Sequence, residues 1–69
     1  MEDLNRAIEA NEEAVSTMPK DSPNRAIGLH NLGGALQVRF ERTGSMEDLY
    51  RAIEAKEEAV KTVPKDHPN

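Results

Sequence analysis

Apolar side chains recur at spacings of three and four along three stretches of the chain, which at 3.6 residues per turn gathers each set onto one side of a helix. In the first stretch the stripe is Leu4, Ala7, Ile8, Ala14, Val15 and Met18; in the last it is Leu49, Ala52, Ile53, Ala59, Val60 and Val63. Between them, Leu29, Leu32, Gly33, Leu36 and Phe40 form a third. Pro19 and Pro64 close the outer stretches, because proline cannot extend the backbone ladder and disfavours helical geometry in the residue before it. Asp21-Ser22-Pro23 reads as a helix start, with Ser22 as cap and Pro23 at the first helical position. Gly44 supplies the left-handed residue that commonly ends a helix, and Ser45 caps the next one, whose Glu47 and Asp48 meet the positive end of its dipole. The pattern predicts helices over about residues 2–18, 25–42 and 46–62. The expected fold class is all-α, three helices joined by short turns.

The outer stretches are two copies of one sequence. Residues 1–24 recur as residues 46–69, an offset of 45, and differ only at Asn5/Tyr50, Asn11/Lys56, Ser16/Lys61, Met18/Val63 and Ser22/His67. A repeat of this length is the signature of a solenoid or array, whose units cannot bury their apolar faces alone and stack on one another. The expected architecture is therefore antiparallel helix-turn-helix repeats of an α-solenoid.

With 69 residues and no Cys, the chain has neither a large core nor a disulfide to support it. Charged residues make up 32% and hydrophobic ones 36% of the sequence, and no apolar run approaches the length of a membrane span. No basic segment followed by an apolar one opens the chain, so a cytoplasmic protein is expected. The net charge of -4 disfavours a protein that tracks phosphates, so no nucleic-acid or membrane partner is expected. That charge is uneven: residues 25–45 carry three basic and one acidic group between two acidic neighbours. A basic middle helix favours either a stacking order or an acidic ligand, an effect that exposure and salt keep modest.

Few residues suggest chemistry. Gly33-Gly34 lacks both the preceding strand and the following Gly-Lys-Ser/Thr of a phosphate loop, and Gly33 lies on the apolar stripe, where it fits close helix packing. His30 has no second His or Cys at metal-ligand spacing, and His67 is Ser22 in the other copy. Glu12-Glu13 and Glu57-Glu58 are adjacent on their helices, about 100° apart, and do not converge on one substrate atom. Glu2/Arg6, Glu47/Arg51 and Glu57/Lys61 are i,i+4 pairs worth ~0.2–0.5 kcal/mol each. No catalytic site, cofactor or metal is expected, and the chain is read as a non-enzyme.

The residues that remain resemble the tetratricopeptide repeat family. Ala52-Ile53-Glu54-Ala55, followed by Glu57-Glu58-Ala59-Val60 and Pro64, is similar to that family's second helix; Leu29, Leu32-Gly33 and Leu36 are similar to its first. Gly33, Ala52 and Ala59 match its small residues of close helix contact. The repeat is longer than the family's usual ~34 residues. It looks like a long-repeat variant, and Pro64-Lys65-Asp66-His67-Pro68 is similar to the linker of kinesin-light-chain-type and fungal arrays. Where the family often places an aromatic, this chain has Asn11 and Lys56; either Lys56 snorkels over an apolar stem or the stripe is less buried there. In family terms residues 1–24 are the second helix and linker of an incomplete repeat and residues 25–69 one complete repeat, which predicts a fragment of a longer array.

By this resemblance the middle helix lines a groove that takes a peptide or protein partner. Its face away from the core stripe carries Ile27, His30, Asn31, Gly34, Gln37, Val38 and Glu41. Asn31 matches a position whose amide contacts a ligand backbone in the family, although a role facing water is equally compatible with the residue. His30 and Gly34 stand where the carboxylate-clamp subclass has Lys and Asn, so a chaperone-tail ligand is not expected. The resulting expectation is a protein-protein interaction scaffold. The alternative is structural self-assembly, in which open repeat edges stack or exchange helices into homo-oligomers.

Overall fold

A computed structural model describes residues 2–62 of the chain. Its three helices are α1 (Glu2–Thr17), α2 (Pro23–Thr43) and α3 (Met46–Thr62), and the described residues contain no strand. Val63, Pro64 and the linker that follows lie outside the described residues.

Each helix boundary follows from the local sequence. Pro19 has no N–H to offer the Val15 carbonyl at the end of α1, which takes the Met18 N–H at 3.3 Å instead, while Thr17 Oγ1 donates to the Ala14 carbonyl at 3.0 Å and Ser16 Oγ to that of Glu13 at 2.9 Å. The turn closes where the Ser22 N–H donates to the Pro19 carbonyl at 3.1 Å. Ser22 is the extended residue that opens α2, ahead of Pro23, but its side chain makes no capping hydrogen bond. At the other end Gly44 adopts φ 75°, and its N–H donates to the Phe40 carbonyl at 2.6 Å. A side chain at this φ would be strained, so glycine suits the tight α2–α3 junction. Ser45 Oγ then accepts the Asp48 N–H at 3.4 Å, the long cap of α3.

Both pairs of neighbours run antiparallel. Val15 faces Gly28 while Asn5 reaches Arg39, which sets α1 against α2; Arg25 meets Glu58 while Arg39 meets Asp48, which sets α3 against α2. The α2 stripe forms the centre of the core, with Leu29, Leu32, Gly33 and Leu36 buried and Phe40 half-buried. Ile8 and Val15 of α1 join it from one side, and Ala52, Ala55 and Ala59 of α3 from the other.

The two copies, nearly identical in sequence, turn different faces to α2. In α1 the branched residues Ile8 and Val15 are buried, whereas Ala7 and Ala10 are exposed. In α3 the order reverses: Ala52 and Ala55 are buried, whereas Ile53 is 47% and Val60 71% exposed. This corrects the expectation of one common stripe for both copies. The stripe is two overlapping faces, a broad one of branched side chains and a narrow one of alanines. Among the described residues there is a single helix of the α2 type, which covers the first face of the copy before it and the second face of the copy after it.

The alanine face admits the closest approach. A Cβ placed on Gly33 would lie 2.7 Å from Lys56 Cγ and 3.2 Å from the Ala52 carbonyl oxygen, while one on Gly34 would meet nothing within 4 Å. Adjacent substitutions should therefore have opposite signs. Gly34→Ala gains helix propensity and is expected to stabilise the fold by about 1 kcal/mol. For Gly33→Ala the same gain is outweighed by pushing α3 off α2, a net loss of about 1 kcal/mol. Thermal melts of the two variants, compared with the parent chain, check both signs.

A candidate protein-interaction face

Polar contacts fix how α2 and α3 meet. Arg39 presents a fork to Asp48, its Nε donating to Oδ2 and its Nη2 to Oδ1, both at 2.9 Å, while its Nη1 donates to Asn5 Oδ1 of α1 at 3.0 Å. Asp48 is the buried acidic residue of the core, 6% exposed. The hydrogen bonds from Arg39 hold its carboxyl below the usual value of 3.8, outweighing the opposite effect of burial, and the same bonds raise Arg39. One guanidinium thus ties all three helices. Arg25 pairs with Glu58 at 3.2 Å, and Arg51 pairs with Glu12 across from α3 to α1. The i,i+4 pair Glu2/Arg6 is present at 3.6 Å on the surface of α1.

These ion pairs are structural. The proton affinities of Arg39 and Asp48 are shifted by their mutual bond, and both groups are engaged in the helix junction rather than open to a ligand. Among the described residues, no group of three or more His, Asp or Glu side chains is placed to hold a metal ion. No described helix is long and apolar enough to cross a membrane.

The open surface lies elsewhere. A groove of about 500 Å³ runs along the α2–α3 seam, walled by Ala26, Ile27 and His30 of α2 and by Lys56, Ala59 and Val60 of α3. Ile27 and Val60 form its exposed apolar rims, at 61% and 71% exposure. Of the residues expected to face a partner, Ile27, His30, Asn31, Gln37 and Val38 are exposed and Gly34 half-buried, all on the outer side of α2. Only Ile27 and His30 of these line the groove; Asn31, Gly34, Gln37 and Val38 are not among its walls.

Lys56 follows the snorkelling alternative. Its stem crosses Gly33, and its ammonium leaves the interface to donate to Gln37 Oε1 at 2.9 Å, so Gln37 is engaged by α3. Val60 is the contributor that sequence reasoning missed, having placed it in the core; Ala59 is in the core as expected and also lines the groove. The signal that locates Val60 is the count of elements: two copies of the outer helix share one middle helix, so the second copy keeps the face that the first has covered.

Comparison of the chain with protein-family models, with curated proteins and with solved structures finds no match.

Proposed function

We propose that this chain is a protein-protein interaction module, a segment of a tetratricopeptide-like right-handed helical-repeat scaffold that offers the α2 face and the α2–α3 seam to a peptide. The observation that carries this reading is the groove rimmed by Ile27 and Val60, an open apolar channel beside a row of polar side chains on one rigid helix. Antiparallel neighbours, the 45-residue repeat and the close contact at Gly33 support the repeat architecture. The cytoplasmic, non-enzymatic role follows from the same reading.

The chemistry of the walls selects the ligand. Alkyl groups at Ala26, Ile27, Ala59 and Val60 accept a bulky apolar anchor, and the Lys56 ammonium at the groove's wall favours an acidic residue beside it. Peptides selected from a random library against the chain should show this pattern. Ile27→Asp puts a charge on the rim of the groove at an exposed position, so the fold is kept while affinity falls by about tenfold or more, roughly 1.4 kcal/mol. Selected peptides that bind the parent and the Ile27→Asp chain equally well would contradict the proposal.

A further inference from the structure

We infer that α3 of one chain docks by its open face onto α2 of a second copy, in the seat that the second copy's own α1 occupies. This goes beyond the peptide-binding reading and does not rest on it: it concerns the Ile53–Val60 side of α3, which shares Val60 with the rim of the groove, and an occupant already present in every molecule.

The chain displays the proposed contact within itself. Each α1 residue that holds the seat has a counterpart 45 positions later: Leu4 and Leu49, Ile8 and Ile53, Val15 and Val60 are the same residue type at the same register. In the seat Ile8 is 2% exposed and Val15 8%, with Val15 against Gly28. On α3 Ile53 and Val60 face outward and Leu49 is half-buried, while its alanine face stays on its own α2. An exchanged α3 is therefore held between two α2 helices, by two different faces.

The polar contacts carry over as well. Glu12, which pairs with Arg51 inside one chain, corresponds to Glu57, so the entering helix brings a carboxylate opposite the second copy's Arg51. Among the contacts named above, the one lost is the bond from Arg39 to Asn5, because Tyr50 stands at the corresponding position.

The entering α3 must compete with α1, which is tethered to its seat by a short turn. Such a tether corresponds to an effective concentration on the order of millimolar, so exchange should appear as chain concentration approaches that range. The contact is heterologous and leaves an open α3 at the growing end, so the assembly is expected to lengthen with concentration rather than stop at a dimer.

The test follows full-length chain by sedimentation equilibrium and by the NMR methyl signals of Val15, from dilute solution to about millimolar. The parent chain should gain mass above the monomer while the Val15 methyls move toward exposed positions, because α1 is released. The Ile53→Asp/Val60→Asp chain, altered only at exposed sites, should stay monomeric with Val15 unmoved. Ile8→Ala, which loosens α1 and leaves α3 intact, should begin to associate at about tenfold lower concentration or less. The inference is overturned by a parent chain that stays monomeric to millimolar concentration, by association that the double substitution leaves unchanged, by association with Val15 unmoved, or by an Ile8→Ala chain whose onset is unchanged or later.

Discussion

Leu36→Ala is expected to lower the stability of the fold by about 2–5 kcal/mol. Leu36 is 1% exposed, at the centre of the α2 stripe, where α1 and α3 approach from opposite sides. Truncating it removes the transfer energy of the side chain and leaves a cavity that neither neighbour fills readily, since Ile8 and Ala52 are fixed by their own helices. A chain of this size has on the order of 3–10 kcal/mol in total. Urea unfolding followed by circular dichroism should therefore show a midpoint displaced to low denaturant, or a chain already largely unfolded in water. A curve superimposable on that of the parent would mean that the core is centred elsewhere.

Asp48→Asn should cost nearly as much, about 2–4 kcal/mol. The substitution keeps the shape but leaves Arg39 without its counter-charge at a site where the Asp48 side chain is 8% exposed. The Arg39 side chain retains 22% exposure and recovers some hydration, which places the cost below that of a fully enclosed pair. The same contact predicts a pH dependence. The Asp48 carboxyl is held below its unfolded value, so its contribution is fully present above the unfolded value near 3.8 and is lost as pH falls through the lower folded value. The parent chain should lose stability in that acid window, and Asp48→Asn should flatten that part of the profile. A stability difference between the two chains that stays constant from neutral pH to below the folded value would exclude the ion pair as the cause.

Helix placement was legible in the sequence because each boundary carries its own chemistry: Pro19, Ser22-Pro23, and Gly44-Ser45; the φ and hydrogen bonds of Gly44 and Ser45 match their expected roles, whereas Ser22 has the extended backbone of a cap without the side-chain bond. The α2 stripe was legible too, since a helix with neighbours on two sides buries one broad apolar set. What the pattern could not separate were the two faces of the outer helices. Residues such as Ala7, Ile8, Ala14 and Val15 fall within one wide arc at helical spacing, and periodicity alone assigns them to one core. Only the arrangement of the helices divides the arc, sending Ile8 and Val15 inward in α1 and Ala52 and Ala59 inward in α3. Asp48 escaped for a related reason: at the start of a helix an acid reads as a solvated dipole partner, and its burial depends on Arg39, nine residues away on another helix. The α2 side of the candidate site was foreseen at Ile27 and His30, whereas its α3 wall was hidden by the same merging of faces.

One sequence serves in two orientations, and thiol labelling reads this directly in a chain with no cysteine of its own. Single substitutions at matched positions, Val15→Cys with Val60→Cys and Ala10→Cys with Ala55→Cys, would be treated with a small thiol reagent in dilute solution. The predicted order is crossed: slow at position 15 and fast at 60, fast at position 10 and slow at 55, with at least about tenfold between members of each pair, because protected sites react only through local opening. Equal rates at matched positions, or the same member faster in both alignments of the repeat, would contradict it.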